Sequence, residues 1–119
     1  MAIAASLVGC ATVTTSDGER LRMRSAEFQD YVERVFREQN RWATELLNAQ
    51  EEAEGERYDQ LIRAEDSLLA ACSGLNELAA ARRDERALGV IREARLARSA
   101  PACETTTLEV RGVVGAAAL

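Results

Sequence analysis

Ser25-Ala26-Glu27-Phe28-Gln29-Asp30-Tyr31-Val32-Glu33-Arg34-Val35-Phe36-Arg37-Glu38-Gln39-Asn40-Arg41-Trp42-Ala43-Thr44-Glu45-Leu46-Leu47-Asn48-Ala49 is the stretch on which the fold turns. Ser25 is a good N-cap, and three residues later an apolar series begins: Phe28, Val32, Val35, Gln39, Trp42, Leu46 and Ala49. Tyr31, Phe36, Ala43 and Leu47 widen the stripe, while charges such as Glu33 and Arg37 occupy the other face at spacings that let side chains meet. The pattern holds for about three heptads, which calls for packing against other helices. Gln39 falls inside the stripe, where burial would oblige it to find partners.

Downstream, Glu51-Glu52-Ala53-Glu54-Gly55-Glu56 reads as a turn centred on Gly55. Its carboxylates lack the spacing of a calcium loop and read as a solvated acidic end. A second helix is expected over 56–81, with the stripe Tyr58, Leu61, Ile62, Leu68, Leu69, Cys72, Leu75, Leu78 and Ala79; Gly74 lies off its centre and reads as tolerated. Arg82-Arg83-Asp84-Glu85-Arg86 forms a second turn, from which Asp84 caps a basic third helix over 85–98 carrying Leu88, Ile91, Ala94, Leu96 and Ala97. Pro101 ends that helix and, with Ser99 before it, can open another. Cys103, Thr106, Val110, Val113 and Ala117 then share one helical face, although Thr105-Thr106-Thr107 and the valines are β-branched and favour strand. A short terminal helix is expected there, with strand as the alternative over 103–119.

At the other end, the apolar run Ala2-Ile3-Ala4-Ala5-Ser6-Leu7-Val8 closes on Gly9-Cys10, and the chain turns polar at once. Leu7-Val8-Gly9-Cys10 resembles the lipobox of bacterial lipoproteins. The resemblance covers ten residues of 119. It implies that residues 1–9 are a signal peptide, that Cys10 receives a diacylglyceryl group, and that the new N-terminus is acylated. Only the Met1 amine precedes the apolar run, so the basic start of the signal is expected upstream. Ala11, where Asp would retain such proteins at the inner membrane, points to the outer membrane facing the periplasm. The bland alternative is a buried apolar segment of a cytosolic protein.

With Cys10 taken as the acylated residue, Cys72 and Cys103 remain as an even pair in an oxidising compartment, where a disulfide is expected. Two buried free thiols are the cytosolic alternative. A straight helix over 57–97 would hold the two cysteines more than about 30 Å apart, so a bridge requires the chain to double back near 82–89. The expected domain is all-α: a small antiparallel bundle of three or four helices over 25–119, pinned by Cys72–Cys103 and carried on a flexible tether over 10–24. Within that tether, Arg20-Leu21-Arg22-Met23-Arg24 alternates and reads either as a short extended piece or as the lead-in to the helix.

Composition narrows the functions. No His and no Lys are present; all fifteen cations are Arg, and the net charge is −5. The commonest general base and the Lys nucleophile are therefore missing, and no zinc spacing, phosphate loop or hydrolase elbow is found. Carboxylate pairs such as Glu65 with Asp66 are what helix surfaces carry anyway. No catalytic residue, metal or cofactor is expected, and the acidic balance argues against nucleic acid as a partner.

Two functional classes remain. One is a lipid-anchored structural or interaction protein that meets an envelope protein, or a second copy of itself, through Tyr31, Trp42 and Tyr58, since aromatics and Arg dominate interface energetics. The basic third helix, with Arg92 and Arg95, is either solvated, paired within the chain, or met by an anionic partner. The other class is an inhibitor or immunity-type protein whose acidic 51–66 segment docks a cationic hydrolase or toxin. A cytosolic helical protein is the third reading, and it stands if Cys10 carries no lipid.

Overall fold

Ser25 does what its position promised. Its Oγ accepts the backbone N–H of Phe28 at 3.1 Å and donates to the Arg22 carbonyl at 2.7 Å, fastening the start of a 27-residue helix to the chain before it. The computed structural model describes residues 12–116. In chain order they form β1 (Thr12–Thr14), β2 (Arg20–Arg22), α1 (Ala26–Glu52), α2 (Gly55–Arg83), α3 (Val90–Ala97) and α4 (Ala100–Ala116). Residues 1–9, expected to be a signal peptide, Cys10 and Ala117 lie outside the described residues.

The stripe of α1 is the core. Phe28, Tyr31, Val32, Val35, Gln39 and Leu46 are buried, with Trp42 and Ala49 partly so. The chain then reverses at Ala53–Glu54, where Gly55 takes φ +62, a left-handed angle that costs a residue without Cβ little. Opposite this stripe α2 buries Leu61, Leu68, Cys72, Leu75, Leu78 and Ala81. Glu56 in its first turn and Arg82 and Arg83 in its last complement the helix dipole. Finally α4 lies against both long helices and adds Cys103, Thr107 and Val110 to the interior. Its β-branched run is helical because Thr107 and Val110 are buried, and Val113 and Val114 partly so, against α1 and α2, which outweighs a propensity difference of about 0.7 kcal/mol per residue at most.

The expected bridge is present. Cys72 and Cys103 are joined at an S–S distance of 2.04 Å, both fully buried, with the Oε1 of buried Gln39 3.9 Å from the Cys103 sulfur.

Three expectations need correction. The domain is mostly but not wholly α-helical, because much of the expected tether is an antiparallel hairpin pairing Thr12 with Arg22, Val13 with Leu21 and Thr14 with Arg20. Val13 and Leu21 face each other and drop into the core, and this burial is what a solvated linker would lack. The third helix begins at Val90 and not at 85. Asp84 closes α2 through its backbone N–H, and Gly89, at φ +80, occupies the N-cap of α3.

Gly74, finally, is required and not merely tolerated. A Cβ there would sit 2.5 Å from the Ser99 Oγ and 3.1 Å from its Cβ, and that hydroxyl is held by its bond to the Leu96 carbonyl. Gly74→Ala is expected to destabilise the domain by about 1–2 kcal/mol in urea unfolding, although Ala is the better helix former. Adding Ser99→Ala should restore part of that loss.

Candidate functional site

Most of the surface of α1, α2 and α4 is what helix packing leaves over, but α3 departs from that pattern. It turns Leu96 and Ala97 inward and leaves Val90 and Ile91 69% and 78% exposed. Single exposed aliphatics are ordinary; two in one turn beside a concavity are not. That concavity is a groove of about 1090 Å³ between α3, the end of α2, the start of α1 and the hairpin. Its apolar lining includes Met23, Phe28, Val90, Ile91, Ala94 and Ala97. Thr12 lines it from β1.

Around these residues stand five arginines, Arg22, Arg24, Arg82, Arg95 and Arg98, against one carboxylate, Glu93. The helical spacing of α3 explains part of this: Ile91, Ala94, Arg95 and Arg98 fall at i, i+3, i+4 and i+7 and so face the same way. Arg92 points to the other side, where it pairs with Glu77 of α2. Among the described residues, Arg22, Arg24, Arg82 and Arg95 make no ion pair. On a chain of net charge −5, four arginines without a carboxylate partner thus meet at one place.

The residues singled out from the sequence are distributed unevenly. Arg95 is on the groove rim, and Arg92 is one position away but occupied by Glu77. Tyr58 is 42% exposed at the far, acidic end, beside Glu51, Glu52, Glu54 and Glu56. Trp42 is half-buried against the core and has the Arg41 guanidinium 5.1 Å from its ring. Tyr31 is not a contact residue at all. It is 3% exposed, and its hydroxyl donates to Glu104 Oε1 at 2.9 Å.

Glu104 had no signal in the sequence beyond being a lone acid between Cys103 and a threonine run. Its Oε1 also accepts the backbone N–H of Ser16 at 2.9 Å, and Arg34 Nη1 lies 3.5 Å from its Oε2, with the same guanidinium 5.3 Å from the Tyr31 ring centre. One buried carboxylate therefore joins the hairpin loop, α1 and α4. Burial on its own would raise the Glu104 pKa. The bonds from Ser16 and Tyr31, with the nearby Arg34 charge, outweigh it and hold the group below its ordinary value. Burial and then the adjacent carboxylate push the Tyr31 phenol well above its ordinary range.

Nothing in this arrangement places a nucleophile beside a base, and the described residues hold no cluster of His, Cys, Asp or Glu suited to a metal. No helix of the described residues is long and apolar enough to cross a membrane. Comparison with protein-family models, with curated proteins and with solved structures finds no match for this chain.

Proposed function

We propose that the chain is a lipid-anchored helical protein of the cell envelope, held at the outer membrane on its periplasmic side, which works by contact with a partner and catalyses nothing. The observation that carries this reading is the bridge between Cys72 and Cys103. Three cysteines then divide into one at the lipobox position and one bonded pair, the usage that an oxidising compartment maintains. The lipobox order Leu7-Val8-Gly9-Cys10 supplies the anchor. In the same reading the helices make the small antiparallel bundle of three or four members, α1, α2 and α4 being the long ones and α3 a short fourth.

Mass spectrometry of the native protein tests it. The expected N-terminal peptide begins at Cys10 and carries the mass of a diacylglyceryl group and an amide-linked acyl chain. An intact Met1 with a bare Cys10 thiol overturns the anchor.

A second reading draws on the acidic end, where Glu51, Glu52, Glu54 and Glu56 are all exposed on and beside the α1–α2 turn. An inhibitor of a cationic hydrolase would dock there by electrostatic steering. Its mark is inhibition of a lysozyme-type enzyme at low salt that weakens as salt is added, and undiminished activity removes it.

A further inference from the structure

We infer that the arginine-rimmed groove is the face that the domain lays on a bilayer of anionic phospholipid; the inference rests on the lipid-anchor reading just given. Three independent features of the molecule point to this occupant.

The first is position. Thr12 lines the groove, and Cys10 is two residues before it. Two residues span at most about 7 Å, so an acyl chain on Cys10 enters the bilayer close to the mouth of the groove, whatever path the intervening residue takes.

The second is chemistry. Val90 and Ile91 project from the first turn of α3 as apolar tips, while Arg22, Arg24, Arg82 and Arg95 have no carboxylate partner among the described residues. Apolar tips that reach below the headgroups, with guanidinium groups at phosphate level, are the arrangement of an interfacial helix. Each basic side chain near an anionic surface strengthens attachment about fivefold, an effect that fades within a Debye length.

The third is charge segregation along the molecule. Phe28 lines the groove at the start of α1, whereas Glu51 and Glu52 end the same helix about 36 Å away at 1.5 Å per residue. An anionic surface attracts the first end and repels the second, which selects one orientation. An acidic amphipathic helix of another protein would satisfy the arginines equally, but the position of Thr12 beside the proposed anchor favours the membrane.

The test uses the full chain with Cys10→Ser, so that no acyl group contributes, and vesicles of phosphatidylcholine with or without phosphatidylglycerol. Sedimentation is expected to show at least tenfold tighter binding to the anionic vesicles, fading at high salt. Arg24→Gln with Arg95→Gln should weaken that binding by roughly twenty-five-fold. Val90→Ser with Ile91→Ser should also weaken it, and all four positions are exposed, so circular dichroism should be unchanged. Equal binding to the two vesicle types, or anionic binding indifferent to both double variants, overturns the inference. So does groove-dependent binding of a synthetic acidic amphipathic peptide without vesicle binding.

Failure of the underlying reading looks different. A bare Cys10 in the native protein sinks the anchor even where groove-dependent vesicle binding persists. An acylated Cys10 with groove-independent binding sinks only the groove.

Discussion

Replacing Cys72 and Cys103 together by serine is expected to lower the melting temperature by on the order of 15 °C or more, read by circular dichroism at neutral pH. The bridge closes a loop with a sequence separation of 31 residues, for which the chain-entropy relation gives about 3–4 kcal/mol. A domain of this size shifts its midpoint by about 4–8 °C per kcal/mol. The contribution is large relative to the whole because the interior is built mainly from leucine, valine and alanine, with Phe28 and Tyr31 its only fully enclosed aromatics. Net stabilities of single domains are about 5–15 kcal/mol. Both sulfurs are enclosed, so the double variant also leaves two hydroxyls in an apolar site, which adds to the loss. Reducing the unmodified protein should give a comparable shift. A change below about 3 °C in both experiments would mean that the contacts of α4 with α1 and α2 hold the tail without the bridge.

Glu104→Ala is expected to cost about 2–4 kcal/mol, because it leaves the Tyr31 hydroxyl and the Ser16 amide without their acceptor in a buried place. Glu104→Gln keeps the shape but loses the charge that Arg34 and the two donors favour, and should cost about half as much. The pH dependence separates this role from simple packing. The folded carboxyl has a pKa below its ordinary 4.5, so its stabilisation is present in full above that value and is lost as pH falls through the folded pKa. Urea midpoints should therefore drop more steeply below pH 4.5 in the native chain than in Glu104→Gln. The phenol of Tyr31 works in the opposite sense. Its folded pKa is raised, so its contribution is complete below the ordinary 10.0 and declines as pH rises beyond it, where the unfolded chain ionises first. Tyr31→Phe should remove that alkaline decline. Identical acid limbs in the native chain and in Glu104→Gln would show that the carboxylate adds no net stabilisation.

What the chain disclosed before folding, and what it withheld, follows from the range of each interaction. The stripe from Phe28 to Ala49 repeats for about six turns, and a signal that long is hard to mistake; its buried set matches the expectation closely. The turn at Gly55 was visible because one residue type there carries the backbone requirement. The hairpin was obscured because each strand has only three residues and one apolar side chain, Val13 or Leu21, too few for alternation to register. The alternating Arg20-Leu21-Arg22 did hint at an extended piece. Glu104 was illegible for another reason: its partners lie 88, 73 and 70 residues away, and no local pattern encodes such a meeting. Gly74 and Ser99 approach each other across α2 and the α3–α4 junction, which is again a tertiary fact. The groove belongs to the same class. Its cations come from β2, the segment after it, α2, and α3 with its C-cap, and no local pattern encodes their meeting.

The covalent ring drawn by the sulfur bridge contains all of α3 and the passage 84–89 that leads to it, exposed over 84–87. That passage carries Arg86 and adjoins Arg82 and Arg83, so it is the natural place for a trypsin-like protease to enter. A cut there opens the chain without dividing it: the portion ending in α2 and the portion containing α3 and α4 stay linked, and the wall of the groove keeps its attachment to the rest. The domain can thus be nicked in a protease-rich setting and still remain one particle until a reductant arrives.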